Sequence, residues 1–335
     1  ILFYSSVNSL ELFKTQKFYQ IDISILKDLG YDVLLSNRIF DSLLFWKYDI
    51  LFSYFYRYSF FAALLAKCFG KKTYFTGGID SLDSDYASAF NYKIQALFFK
   101  LCYWVADSCI IVSQSDLKNI FKVSSLKKKL SYSEHVINTK LFIADVPKEK
   151  IFTSIVWMGD EGNVVRKGVD KALQIFAELK KIPEFVDYRF VIIGRKGEGE
   201  VLVRSIIDKY NLKGSVELKG EVSEEDKINL LKQSKYYFQL SLYEGFGLAA
   251  LEALCANNII IHSGKGGLAN PIYKEQLLFD IDNDFDSELL KLVNKLACFT
   301  PITSYDNLLE YYDIQRRKDD FEAIIVNGKS NYKLK

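Results

Sequence analysis

The segment Tyr243–Cys255, YEGFGLAALEALC, carries two carboxylates, Glu244 and Glu252, with seven residues between them. Gly245 and Gly247 flank Phe246 directly after the first glutamate. Glycine lets the backbone turn sharply there and come close to a ligand. The apolar run from Leu248 reads as a helix that contains Glu252. A helix beginning near Gly247 aims its first unpaired amides outward, which suits a phosphate. Glu252 then lies roughly 7–8 Å along the axis, so the carboxylates are expected about 10 Å or more apart. A glycosidase pair flanking one bond needs about 5–5.5 Å or about 6.5–9.5 Å. The wider spacing suits a longer ligand with hydroxyls at both ends and an anion between, the layout of a nucleotide sugar. A plainer reading also stands: Glu244 complements the helix dipole and Glu252 is a half-exposed helix residue.

Arg166 and Lys167 form a basic pair just before a second helical pattern, Val169, Ala172, Leu173, Phe176 and Ala177. Arginine grips phosphate oxygens in a fork and lysine adds a point charge. The alternative is a solvated pair, although cations at a helix start oppose its dipole, a conflict that a bound anion would relieve. Of the two histidines, His135 and His262, only His262 ends an expected strand, as a binding group or a satisfied structural one. The five cysteines are unclustered, lie in apolar runs and form no C-x-x-C, so they read as reduced core residues. Asp83–Asp85 (DSD) reads as an acidic loop. Asp280–Asp286 departs from a calcium loop, with Phe285 at the glycine position and Lys291 at the terminal glutamate. No metal site is expected.

These groups must be held by an alternating framework. In the second half, "FTSIVWMG", "YRFVIIG", "SVELKG", "KYYFQLSL" and "NIIIHS" read as strands, separated by helical patterns, one opened by the capping box at Ser223–Asp226. The first half alternates likewise, with strands "ILFYSS", "YDVLLS", "YDILFSYF", "KKTYFTG", "SCIIVS" and "KLSYSEHVI" and helices near 10–29, 58–69, 87–106 and 114–122. Strict alternation implies parallel sheets covered on both faces. The expectation is an α/β protein of two doubly wound, Rossmann-like domains facing a cleft. They span 1–146 and 147–302, with 303–335 a terminal helix and tail that can pack back on the first domain. The boundary is placed at the charged, proline-containing "IADVPKEK".

At 335 residues the chain suits two domains, and 49% hydrophobic with 26% charged residues is a globular balance. A net charge of +2, slightly basic in the first half and slightly acidic in the second, is too weak to imply nucleic acid. No signal peptide is visible. The apolar stretch from Phe40 to Gly70 is broken by Lys47, Asp49, Arg57 and Lys67, so it reads as strand then helix and not as a membrane span.

Taken together, the second-half motifs resemble those of retaining GT-B glycosyltransferases, family 4, the group 1 glycosyltransferases. The E-x(7)-E stretch, "VVRKGVDKAL", "RFVIIGRKGEG", "VELKGEVSEEDKINLLKQSKYYFQLS" and "IHSGKGGL" carry the resemblance, and "CIIVSQSDLKNI" with "HVINTKLF" extends it to the first domain. The resemblance implies that Glu244 contacts donor-sugar hydroxyls and Glu252 the ribose. Gly245, Phe246, Gly247 and Leu248 would support sugar and phosphate, and Arg166 and Lys167 the diphosphate. Gly194, Arg195 and Val222 would line the nucleotide. It implies retention without metal or cofactor, with a UDP or GDP sugar as donor. The acceptor would be a saccharide or lipid-linked hydroxyl in surface polysaccharide or glycolipid synthesis. The enzyme would be cytoplasmic, with peripheral membrane contact through the aromatic-rich N-terminal domain. The chain departs from the family at four places: Gly77 and Gly78 stand where a histidine is common, "SSVNSLELFKTQKF" stands where the family has an N-terminal Gly-Gly loop, Asp160 follows Gly159 in place of arginine, and Asn270 replaces an acid. Two alternatives stay open: a nucleotide-sugar-binding module without chemistry, and an epimerase or hydrolase of the same fold.

Overall fold

The computed structural model describes residues 1–143, 146–299 and 306–328. The chain divides into two units. One is Ile1–Ile137 with the segment from Tyr311 onward, and the other is Asn138–Glu310. The division falls at 137/138, whereas the sequence places it at 146/147. Residues 144 and 145, near the start of the expected linker, and the polar tail beyond 328 lie outside the described residues.

Unit 1 holds β1 (Leu2–Ser5), β2 (Leu34–Ser36), β3 (Ile50–Tyr54), β4 (Lys72–Thr76), β5 (Ser108–Ile111) and β6 (Leu130–Tyr132). They form one sheet in the order β2-β1-β3-β4-β5-β6, every pair parallel. Alternate residues of β3 serve opposite cores: Leu51 packs with Phe75 and Cys109 on one face, Phe52 and Tyr54 with Phe3 and Ile110 on the other. This two-sided burial explains why the strands read as near-continuous apolar runs. The helix Ile314–Phe321 returns to this unit, where Phe321, Ile324 and Ile325 join the core around Phe3 and Phe52. There Arg317, fully buried, forks onto Asp22 with both contacts at 2.7 Å.

Unit 2 holds β7 (Glu149–Ile155), β8 (Arg189–Ile193), β9 (Val216–Gly220), β10 (Ser234–Gln239), β11 (Ile259–His262) and β12 (Leu277–Leu278). Its sheet is also parallel, in the order β12-β11-β10-β7-β8-β9. Phe152 on β7 stacks between Tyr236, 4.6 Å away, and Phe238, 5.1 Å away, at the centre of the core. Two six-stranded parallel sheets, each covered by helices, are the doubly wound architecture expected from the alternation. The two-residue β12 and the helices Glu161–Arg166 and Phe285–Cys298 are additions to the elements read from sequence. Cys102, Cys109 and Cys255 are buried, but Cys68 and Cys298 are exposed, so two of the five are not the core residues expected. No helix of the described residues is long and apolar enough to cross a membrane.

Candidate functional site

The second sheet is built outward in both directions from the pair β7–β10. β7, β8 and β9 run one way from it; β10, β11 and β12 run the other. At such a reversal the loops after the two central strands diverge and leave a crevice at the carboxyl ends, where open α/β sheets take ligands. The loop after β7 carries Arg166 and Lys167, and the loop after β10 carries Glu244.

After β7 the chain forms a short helix, Glu161–Arg166. Asp160 caps it, accepting the Asn163 amide at 2.6 Å. Arg166 therefore closes a helix and does not merely precede one. A cation at a helix C-terminus complements the dipole, so the argument from dipole conflict fails for Arg166. Its guanidinium donates to Asn163 Oδ1, at 2.7 Å from one terminal nitrogen. Gly168 follows in a left-handed conformation, φ 68°, and begins the helix Val169–Leu179. A Cβ at Gly168 would stand 2.0 Å from the Leu240 carbonyl oxygen, so only glycine allows this turn against the end of β10. The Leu242 amide donates to the Arg166 carbonyl at 2.8 Å and completes the join.

That join brings Lys167 onto Glu244. Lys167 Nζ donates to Glu244 Oε1 at 2.5 Å, and Gln239 Nε2 and Ser241 Oγ donate to the same oxygen at 2.8 Å each. Glu244 Oε2 accepts no hydrogen bond among the described residues. One carboxylate oxygen is thus fixed by three donors while the other remains open, with the side chain only 11% exposed. The sequence reading does not single out Gln239 and Ser241. The polar alternation Gln-Leu-Ser at the end of an otherwise apolar strand is the available signal.

The turn Glu244–Phe246 is braced by the loop after β11. The Gly267 amide donates to the Glu244 carbonyl at 2.6 Å. A Cβ would lie 2.3 Å from the Glu244 carbonyl oxygen at Gly266 and 2.5 Å from Phe246 Cα at Gly267. The Gly-Gly loop is thus a backbone clamp on the glutamate turn. Gly247, φ 86°, starts the helix Leu248–Cys255. The first intrahelical bond runs from Leu251 to Gly247, so the amides of Leu248 and Ala249 precede it. Gly245 is half-buried and Phe246 buried beside them.

Glu252 is buried, not half-exposed, and both its oxygens accept from Lys227 Nζ at 2.8 Å. Lys227 also pairs with Glu224 at 3.0 Å. The sequence does not reveal Lys227, because the capping box Ser223–Asp226 accounts for the start of its helix and gives no hint of the partner across. The structure thus links Arg166, Lys167 and Glu244 in one junction and Glu252 with Lys227 in a second. Gly194, φ 133°, directly follows β8; a Cβ there would meet the Val156 carbonyl oxygen at 1.9 Å, and its amide donates to the Gly220 carbonyl at 2.8 Å. Arg195 is exposed, its guanidinium without a hydrogen-bond or ion-pair partner among the described residues. Val222 packs with Ile151, Val191, Ile193 and Leu230 at the end of β9.

His262 ends β11 with Nε2 at 3.1 Å from the Tyr273 carbonyl oxygen, so Nε2 carries the proton. Burial lowers its pKa to about 4, making it neutral at neutral pH. Burial, and then Glu252, push the Cys255 thiol up to about 12, which leaves it unreactive. Asn270, where the family's acid is absent, turns its Oδ1 to the Ile272 amide at 3.2 Å. Among the described residues, no group of His, Cys, Asp or Glu is gathered to hold a metal ion.

Residues 162–296 match the family model described as Glycosyl transferases group 1, a span that contains both glutamates and the basic pair. Two curated proteins are similar. The GDP-mannose:cellobiosyl-diphosphopolyprenol alpha-mannosyltransferase of Xanthomonas oryzae pv. oryzae is 32% identical over 163 residues, 42% of this chain and 40% of that protein. The GPI3 subunit of the Saccharomyces cerevisiae phosphatidylinositol N-acetylglucosaminyltransferase is 27% identical over 129 residues, 38% of this chain and 28% of that one. The chain thus spans well under half the length of these two relatives. Among solved structures, Anabaena HepE in complex with UDP superposes with a TM-score of 0.71 at 12% identity, covering 97% of this chain and 99% of that one. Sucrose-phosphate synthase from Thermosynechococcus elongatus gives a TM-score of 0.60 at 17% identity, covering 94% and 78%. The fold is GT-B, two Rossmann-like domains, and residues 162–296 are similar to the group 1 glycosyltransferase domain.

Proposed function

We propose that this chain is a retaining, metal-independent glycosyltransferase of family 4. It moves a hexosyl unit from a UDP or GDP sugar to a hydroxyl of a saccharide or lipid-linked acceptor in surface polysaccharide or glycolipid synthesis. The observation that carries the reading is Glu244 at the sheet's reversal point, with Oε1 held by Lys167, Gln239 and Ser241 and Oε2 open. An immobilised carboxylate with one open oxygen is an acceptor for sugar hydroxyls that costs little ordering when a ligand arrives. The amides after Gly247 supply the anion site beside it. Arg166 and Lys167 lie on the adjoining loop and offset the charge of the departing nucleotide. Glu252 takes the ribose, sharing its carboxylate with Lys227. Gly194, Arg195 and Val222 line the base. With no base–nucleophile pair in this constellation, the leaving phosphate takes the acceptor proton, and the protein contributes position and charge.

The test is a thermal-shift series with UDP-, GDP- and ADP-sugars, followed by product analysis. Selective stabilisation by one sugar nucleotide is expected, since a ligand that binds only the native state raises its melting temperature. Incubation with acceptor should then release nucleotide with chelator present and give a product of the donor's anomeric configuration. Stabilisation without nucleotide release would instead fit a binding module. A rearranged or hydrolysed sugar without acceptor would fit an epimerase or hydrolase.

A further inference from the structure

At the amino ends of β4, β5 and β6, unit 1 carries polar side chains on a sheet face that is apolar further along. Tyr74 is registered with Ser108, and Ile110 with Ser131. Alternation along the strands puts Lys72, Tyr74, Ser108 and Ser131 on the side of Ile110, which packs with Phe321, Ile324 and Ile325. A covered face of a parallel sheet is ordinarily apolar throughout. Here it opens into a pocket of about 300 Å³, lined by these four residues with Lys128 and Lys129. Ile324 and Gly328 of the returning segment form one wall. The pocket lies at the opposite end of the strands from the carboxyl ends, where open α/β sheets take their substrates.

The lining groups have spare capacity for an anion. Tyr74 is only 4% exposed, yet its hydroxyl makes no hydrogen bond among the described residues and is not sealed from the pocket. Burial, then Asp107 and Tyr31, push its pKa up to about 12, so it remains a donor at neutral pH. Lys72 and Lys128 have no ion pair or hydrogen bond among the described residues. Lys129 Nζ rests on the carbonyls of Tyr103 and Trp104, at 3.3 and 2.9 Å, contacts that leave its charge in place. Asp107 also lines the pocket, but it is already engaged: both its oxygens accept from Lys67 at 2.9 Å, and one takes the Thr73 amide at 2.8 Å. Ser108 and Ser131 are bonded to each other at 2.9 Å, so one of their two hydrogens remains for the Lys129 carbonyl or for a ligand.

We propose that this pocket is a binding site for a phosphate group, taken up as inorganic phosphate or as the monoester of a small soluble molecule. Three ammonium groups match a phosphate dianion, which lysine serves as a point charge, while the phenol and a serine hydroxyl donate to its oxygens. A single carboxylate would leave most of these donors idle. Volume sets the size of the ligand: about 300 Å³ is the lower end of small-molecule sites and suits a phosphorylated sugar or something smaller, not a whole sugar nucleotide. Because the returning segment forms one wall, a bound phosphate would tie Ile324 and Gly328 to the amino ends of the sheet. The site shares no residue with those assigned to sugar transfer and stands independently of that reading.

The experiment titrates the full chain with inorganic phosphate and with glucose 6-phosphate, by calorimetry and thermal shift, against sodium chloride at equal ionic strength. Saturable binding of at least one probe is expected, with stabilisation beyond that of the salt. Lys72→Gln with Lys128→Gln should weaken it by about tenfold or more. Tyr74→Phe should weaken it by about fivefold without lowering the melting temperature of the ligand-free chain, because the lost hydroxyl has no partner to strand. Lys127→Gln, on the same loop but outside the pocket, should leave the affinity unchanged. Three results would overturn the proposal. One is no saturable binding of either probe, and another is a shift that sodium chloride reproduces. The third is an affinity that neither the lysine pair nor Tyr74→Phe alters, which would place the anion elsewhere, as beside Glu244. Sugar-nucleotide stabilisation is read in the same variants, so failure of this site and failure of the transfer reading are told apart.

Discussion

Glu244 holds its place through three donors on one oxygen, so charge and shape can be separated by mutation. Glu244→Gln keeps the size but removes the anion that Lys167 neutralises. The expected outcome is a loss of about 10²–10³ in transfer rate, the scale of removing one preorganised electrostatic contact. Some stability should be lost as well, about 1–3 kcal/mol, because the change leaves the largely buried Lys167 ammonium without its anion. Rates measured against the melting temperature check this; a parallel collapse of both would make Glu244 structural. Glu252 is buried against Lys227. Glu252→Gln should weaken nucleotide binding and also cost about 1–3 kcal/mol, since it leaves a largely buried ammonium with Glu224 alone. A cycle with Lys227→Met should be less than additive, because the second change removes the stranded charge. Additive losses in urea denaturation would deny that the pair acts as a unit. The glutamates and the basic pair are legible in the sequence because their types are out of place in apolar runs beside glycines. Gln239 and Lys227 are not, since their roles depend on what faces them across the sheet or helix, and no local spacing records that.

The elements are legible to the extent that they are long and apolar. β3, β8 and β11 are buried on both faces, so their composition announces them. The helix Glu161–Arg166 has no apolar periodicity over its six residues, and β12 is two residues long. Tertiary context creates both. The same context makes particular glycines indispensable. Gly168→Ala would drive a Cβ into the Leu240 carbonyl at φ 68°, and a cost of about 3 kcal/mol with loss of the Lys167–Glu244 contact is expected. Gly30→Ala, also at positive φ but with nothing within 4 Å, should cost only about 1 kcal/mol. Equal costs in parallel denaturation curves would refute the close-approach argument. Strand ends also set an acid limit. Burial holds His262 at about 4 against the ordinary 6.5, and His135 shifts in the same direction. Between those values the unfolded chain binds a proton that the native chain refuses. Stability should therefore fall as pH drops below 6.5 and stop falling through this group once pH is below about 4. His262→Asn should flatten part of that slope in urea midpoints measured against pH.

At the scale of the molecule, the chain leaves its first unit at Ile137 and returns to it from Tyr311. The sequence places a terminal helix in 303–335 but holds no sign of what anchors it, because the anchor joins residues nearly three hundred positions apart. Arg317, wholly buried, forks onto Asp22, which also accepts from Tyr54, and donates to the Ser133 carbonyl. Such a pair gains little over a well-packed apolar substitute, but breaking one side of it strands a charge in the core, at about 3–5 kcal/mol. Arg317→Ala should therefore loosen unit 1 selectively, since every one of these partners belongs to it. The unfolding curve of a two-unit chain need not be two-state. The expected result is an earlier transition reported by the aromatic core around Phe3, Phe52 and Phe321, while sugar-nucleotide binding by unit 2 persists below it. Asp22→Asn should do the same more mildly, because the amide still accepts one of the guanidinium hydrogens. A single transition shifted as a whole, with nucleotide binding lost at the same denaturant concentration, would mean that the latch holds the entire chain and not one unit.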